Sequence, residues 1–164
     1  MTLDWINRLD MDPASLAVIG LGNPDRADDG IGLAVADALA VDFPHRVFSE
    51  SQRPADGLVM AMIGRPDIAH VLFIDAADFK GEPGGVRLFD PDEIHAFRGA
   101  LSTHQTPMTV LIQLLEAHGK RPWILGVQPA SLALERGFSP LIGHIKDPLI
   151  EGVRRLLKGD RGSV

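Results

Sequence analysis

The stretch Leu16-Ala17-Val18-Ile19-Gly20-Leu21-Gly22-Asn23, followed after Pro24-Asp25-Arg26 by Ala27-Asp28-Asp29-Gly30-Ile31-Gly32, decides the fold. Its first half is apolar without alternation and ends in glycine, the pattern of a strand covered on both faces. After the aspartates, Ile31, Val35, Ala38 and Leu39 recur at helical spacing, and Phe43-Pro44 closes the segment. A fully buried strand that turns directly into an amphipathic helix opens a βα unit.

The same alternation continues outward. Arg46–Glu50 reads as a second strand, and Asp56–Ile63 as a short helix stopped by Gly64 and Pro66. His70–Ile74 is a strongly apolar strand ending at Asp75. Beyond a Gly- and Pro-containing turn at Lys80–Gly85 come a short strand at Val86–Phe89, suited to a sheet edge, and a helix at Pro91–Phe97 capped by Asp90. Ser102–Thr106 is a polar loop. Thr106-Pro107 has the form of an N-cap followed by proline at the first helical position, and Met108, Leu111, Ile112 and Leu115 give that helix its apolar face. Trp123–Val127 is a strand, and Ser139-Pro140 opens a final helix to about Lys158, interrupted at Pro148. The order predicts an α/β fold: a single three-layer domain with a mostly parallel twisted sheet and helices on both faces. No repeat, low-complexity segment or linker divides residues 1–164. Residues 1–14 read as an N-terminal extension and 159–164 as a loose tail.

Composition narrows the function. The chain has 164 residues, the size of one domain, with 45% hydrophobic and 23% charged residues, a balance that excludes a mainly disordered chain. There is no cysteine, so a disulfide scaffold, a thiolate zinc site and a cysteine nucleophile are excluded. The net charge of -6 argues against a nucleic-acid partner, which selects for basic surfaces. No stretch approaches the roughly 18 apolar residues of a membrane span. The first residues carry Asp4, Asp10 and Asp12 and no apolar core, unlike a secretory leader. The expectation is a cytoplasmic protein with no membrane association.

Ligands of open α/β sheets bind beyond the carboxyl ends of the strands. Asp29, after the first strand, Asp75, at the end of the Val71 strand, and His104, in the polar loop, fall where they reach that edge. Two carboxylates and an imidazole suit a borderline divalent metal such as nickel or zinc, and three protein ligands leave positions open for water or substrate. Each residue also has a plainer reading: Asp28 and Asp29 as helix caps, Asp75 as an acceptor for loop N–H groups, His104 as a solvated loop histidine. The Gly20-Leu21-Gly22-Asn23 turn fits only the first half of a dinucleotide fingerprint, since position 25 is Asp, and its aspartates repel phosphate. Its glycines are read as letting the chain leave the sheet edge sharply, with close backbone approach to a substrate.

Taken together, the blocks resemble the hydrogenase maturation endopeptidases. Val18-Ile19-Gly20-Leu21-Gly22-Asn23 and Ala27-Asp28-Asp29-Gly30-Ile31-Gly32 are similar to the family's opening. Phe73-Ile74-Asp75-Ala76-Ala77-Asp78, Pro83-Gly84-Gly85-Val86, Pro91-Asp92-Glu93-Ile94, Ser102-Thr103-His104-Gln105 and Leu125-Gly126-Val127-Gln128-Pro129 follow in family order across most of the chain. The resemblance is greatest to the branch that matures the large subunit of formate-linked hydrogenases.

This resemblance implies an aspartyl-type, nickel-dependent endopeptidase that removes the C-terminal extension of a nickel–iron hydrogenase large-subunit precursor after nickel insertion. The family's metal-contacting positions fall on Asp29, Asp75 and His104, with Asp29 and Asp75 as the catalytic carboxylates. The nickel ion would be supplied by the precursor, and Gly22 and Asn23 would position the peptide. The protease is expected to act as a monomer. One departure stands out: where the family has an Asp-Gly-Gly-Thr or Asp-Gly-Gly-Ser turn after the second strand, this chain has Ser49-Glu50-Ser51-Gln52. Glu50 is the acidic residue nearest the missing Asp.

Two other readings compete. A non-catalytic, chaperone-like module that binds nickel or the precursor is favoured by the altered turn. A peptidyl-tRNA hydrolase-like esterase shares Gly20-Leu21-Gly22-Asn23-Pro24, but lacks the expected Thr-Arg-His-Asn segment and a basic face. A nucleotide-binding oxidoreductase ranks below both, because the phosphate loop is incomplete.

Overall fold

Strand β1 (Leu16–Gly20) is buried at every position, as its unbroken apolar run requires. In the computed structural model, which describes residues 3–97 and 107–160, it lies between β2 (Val47–Ser49) and β3 (His70–Ala76) in a five-stranded sheet. The order is β2-β1-β3-β5-β4, with β5 (Arg121–Val127) parallel to β3 and β4 (Val86–Phe89) antiparallel to β5. The β1–β3 register pairs Leu16 with His70 and Gly20 with Ile74, so the carboxyl ends of the two strands lie side by side.

The period of two along each strand divides the core into two layers. Leu16, Val18, Leu72, Ile74 and Leu125 face α1 (Ile31–Ala40) and α5 (Pro140–Lys158). Ala17, Ile19, Val71, Phe73 and Ile124 face α2 (Ala55–Ile63) and α4 (Met108–Ala117), with Ile94 of α3 (Pro91–Ala96). This is the expected three-layer α/β architecture, with the short β4 at an edge. Among the described residues no helix is long and apolar enough to cross a membrane.

Three local differences have physical causes. α5 runs through Pro148 without a break, because Ile142 before it and Leu149, Val153 and Leu156 after it all bury against one sheet face. That packing outweighs the missing N–H and the ring clash of an internal proline, about 3 kcal/mol. α4 begins at Met108 with Pro107 at the cap position rather than inside the first turn, and Thr106 lies outside the described residues. Residues 4–9 are integrated into the core: Trp5, Ile6 and Leu9 are buried, and the Arg8 guanidinium donates to the Leu88 carbonyl of edge strand β4 at 2.8 Å. α3 has the expected Asp90 cap, and the structure completes it as a capping box, with Asp90 and Glu93 each accepting the other's backbone N–H.

The helix that follows β1 sits unusually close to the sheet. A Cβ on Gly32 would lie 2.0 Å from the Ile74 carbonyl oxygen and 2.3 Å from that of Leu21, and one on Gly20 would lie 2.1 Å from the Gly32 oxygen. All three neighbours are backbone and cannot rotate away. Gly32→Ala is therefore expected to destabilise the fold by about 3 kcal/mol or more. Gly143→Ala, in α5 with nothing within 4 Å of the new atom, should be neutral or gain up to about 1 kcal/mol. Urea denaturation of the two variants measures the difference.

Candidate active site

The carboxyl ends of β2, β1 and β3 form one open edge, and the turn after β1 supplies its floor. Gly22 has φ +142°, and a Cβ there would lie 1.9 Å from the Asp29 carbonyl oxygen. The Asn23 N–H donates to that same oxygen at 3.2 Å. Gly22 lets the chain leave the sheet edge sharply, the reading preferred from sequence, and it also packs closely on the turn that carries Asp29. The Asn23 side chain accepts the Asp25 N–H at 2.9 Å and so holds its own turn.

Asp28 and Asp29 have separate tasks. The cap position of α1 is Gly30, so neither aspartate is the helix cap. Asp28 is fully buried and accepts four hydrogen bonds: from the N–H groups of Ala130 (2.9 Å), Ser131 (2.8 Å) and Ser139 (2.7 Å), and from the Ser139 hydroxyl (2.9 Å). Its own N–H donates to the Ser131 carbonyl at 3.2 Å, and that of Ala27, at φ +47°, to the Glu135 carbonyl at 2.8 Å. Asp28 thus fastens the loop between β5 and α5 to the turn after β1. Its two oxygens are taken up by three backbone N–H groups and one hydroxyl.

Asp29 is 3% exposed and belongs to the single 3-10 turn, Ala27–Gly30, that leads into α1. Asp75 is 0% exposed and lies inside β3, one residue from its end, so the strand outruns the apolar run that announced it. By alternation it shares the α2/α4 face with Val71 and Phe73. The 3-10 turn packs against β3. The Gly32 backbone meets the Ile74 carbonyl, the bond adjoining Asp75. The turn that carries Asp29 therefore lies against the strand that carries Asp75. His104, the third expected member, lies outside the described residues. Among the described residues no three His, Cys, Asp or Glu side chains form a metal-holding group.

Sequence reasoning did not single out Gln128 as a working residue. Its Oε1 accepts the N–H groups of Phe79 (3.0 Å) and Gly81 (3.1 Å), and its Nε2 donates to Asp78 at 3.3 Å. It clamps the β3–β4 loop beside Asp75. The Lys80 ammonium and N–H, together with Gln128, hold the Asp78 carboxyl down to about 2. A polar side chain directly after an apolar strand, Val127-Gln128, was the available signal.

Two clefts flank the Ser49–Gln52 turn and meet at Asp37. One, of about 520 Å³, is lined by Val41, Pro44, Phe48, Gln52, Arg53 and Leu58, among others. The other, of about 330 Å³, is lined by Pro24, Ala27, Leu33, Arg136 and Phe138 beside the Asp28-anchored loop. The turn itself is tied to α1: the Ser51 hydroxyl donates to Asp37 at 2.9 Å and shares a 2.8 Å hydrogen bond with the Ser49 hydroxyl.

Comparison with known proteins gives the family and supports the fold. Residues 55–154 match the family model described as hydrogenase maturation protease. The chain is 31% identical over 145 residues to the hydrogenase 3 maturation protease of Escherichia coli (strain K12), covering 87% of this chain and 88% of that one. Its fold is similar to the crystal structure of the nickel–iron hydrogenase maturation protease HycI from Thermococcus kodakarensis KOD1, with a TM-score of 0.72 and 27% identity over 88% of this chain and 93% of that one. It is also similar to the solution structure of the endopeptidase HycI from Escherichia coli, with a TM-score of 0.68 and 26% identity over 91% and 92% of the two chains.

The division of labour between the adjacent aspartates is testable. Asp28→Ala strands buried N–H groups and is expected to cost about 3–5 kcal/mol. Amide hydrogen exchange should accelerate first at Ala130, Ser131 and Ser139. Unchanged exchange at these three amides would show that the aspartate does not hold the loop.

Proposed function

The chain belongs to the hydrogenase maturation protease family, whose members are peptide-bond hydrolases, and from that premise we propose that it removes the C-terminal extension of a nickel–iron hydrogenase large-subunit precursor already loaded with nickel. The observation that supports this reading is that Asp29 and Asp75 are both buried, the first on a turn that packs against the strand carrying the second. Carboxylate oxygens with an imidazole from His104 make a donor set suited to nickel. The metal arrives as part of the substrate.

In this mechanism Asp29, Asp75 and His104 complete the coordination of nickel held by the precursor. Recognition therefore depends on metal loading as well as peptide sequence. Nickel in that position lends Lewis acidity to the scissile region. Asp29 or Asp75 accepts the proton of the attacking water, and that proton is passed to the leaving amine as the C–N bond breaks. The Gly22–Asn23 turn lines the peptide's path along the edge. The protein works as a cytoplasmic monomer that engages the precursor's C-terminus.

A second reading, binding of the precursor without cleavage, is favoured by the Ser49–Gln52 turn, where Glu50 and Ser51, the latter tied to Asp37, stand in place of the family's Gly-Gly. Intact-mass analysis of a nickel-loaded precursor from the same organism separates the two. Loss of a C-terminal peptide supports the endopeptidase, and a bound precursor of unchanged mass supports the chaperone-like reading.

Asp29→Asn, Asp75→Asn and His104→Ala are each expected to slow cleavage by about 10²-fold or more, while circular dichroism and thermal midpoint stay near those of the parent protein. A His104→Ala variant that cuts the nickel-loaded precursor at the parent rate would remove this residue from the site.

A further inference from the structure

Glu50 stands at the place where this chain departs from its family, and its contacts give it a task. Its N–H donates to the Gly20 carbonyl at 3.0 Å, adding one step to the β1–β2 ladder beyond the Gly20–Ser49 pair. Its side chain, half-buried, turns along the open edge, where Oε2 accepts the Gly22 N–H at 3.4 Å. Gly22 is the residue that leaves the sheet at φ +142° and packs on the Asp29 carbonyl. Glu50, Gly22 and Asp29 therefore form one line of contacts from the end of β2 across the end of β1 to the turn that carries an acid of the site.

The base of Glu50 is fixed as well. Ser49 before it and Ser51 after it share a hydrogen bond, the Ser51 N–H donates to the Ser49 hydroxyl at 3.2 Å, and the Gln52 N–H donates to the Ser49 carbonyl at 3.1 Å. A residue held on both sides projects its carboxylate in a set direction. The Leu21 N–H still donates to the Ile74 carbonyl of β3 at 2.9 Å, and beyond it the chain leaves the ladder, where the amide of Gly22 takes a side-chain acceptor.

We propose that Glu50 is a positioning residue for proteolysis: its carboxylate fixes the Gly22–Asn23 turn in the conformation that receives the substrate peptide. This rests on the endopeptidase reading above. Glu50 acts through the backbone it holds and takes no part in bond breaking. The role predicts an effect on substrate binding with little on the chemical step.

The test compares Glu50→Ala, Glu50→Gln and Glu50→Asp on nickel-loaded precursor, with the Gly22 amide followed by NMR in the free proteins. Loss of one charge-assisted acceptor predicts that Glu50→Ala raises KM about tenfold with kcat within about twofold. Glu50→Gln, whose side-chain carbonyl accepts the same N–H, should restore KM to within about threefold of the parent. Glu50→Asp, one methylene shorter, should resemble Glu50→Ala. The Gly22 amide proton should move upfield in the Ala and Asp variants and stay near its parent position in the Gln variant. An unchanged KM in Glu50→Ala, a fall in kcat at constant KM, or an unmoved Gly22 resonance would each overturn the proposal. If the parent protein leaves the precursor intact, the endopeptidase reading fails on its own, and the Gly22 resonance still decides whether Glu50 holds the turn.

Discussion

The contact between the backbone of Gly32 and the carbonyl oxygens of Leu21 and Ile74 governs the rest of the molecule. Side chains normally hold a helix about 10 Å from a sheet, a spacing like that between stacked sheets. Here glycine on both sides removes that separation, and the first turn of α1 rests on the main chain of two strands at once. Asp29, just ahead of this contact, and Asp75, just beyond Ile74, are thereby drawn to one edge. Shape comes first, and the placement of charge follows from it. The glycines of the opening motif are therefore a steric requirement of this approach.

Two consecutive aspartates show how burial alone fails to identify function. Both are removed from solvent, but Asp28 meets four donors supplied by a loop more than a hundred residues away. An ionised carboxylate in that environment is a structural device, because its desolvation is offset by charge-assisted hydrogen bonds. Asp29 belongs to the same short turn, which as a whole adjoins β3. Of the two acids, Asp28 is committed to the scaffold, which leaves Asp29 as the one of the pair proposed for the site. Gln128 repeats the device on the far side of Asp75, where a neutral side chain restrains the following loop.

How far the sequence revealed this depends on distance along the chain. β1 and β3 were legible because an unbroken apolar run is a local property, and so was the Asp90 cap of α3. The continuity of α5 past Pro148 was not, because the deciding term is the burial of Leu149, Val153 and Leu156 against strands far away in the chain. Asp29 and Asp75 were legible as candidates by their place after strands, while their closeness depends on the Gly32 contact, which spacing cannot express. The hydrogen bonds of Asp28 span 102 to 111 residues and leave no local trace. Nor does the reach of Glu50 to Gly22, 28 residues back. His104 rests on motif resemblance, and its position lies outside the described residues.

The link from Asp28 to Ala130, Ser131 and Ser139 also sets an order in time. Synthesis delivers the N-terminal turn first, and the donors that fix it emerge from the ribosome only after β5 has been made. Until then the opening motif is present in sequence but lacks its anchor. Leu3 and Trp5 wait longer still, since a Cβ on Gly152 of α5 would lie 2.8 Å from one and 3.3 Å from the other. Contacts of such long separation close late, because the loop entropy must be met before they form. A nascent or truncated chain ending before residue 139 therefore carries both Asp29 and Asp75 without all the bonds that anchor the turn to the loop after β5.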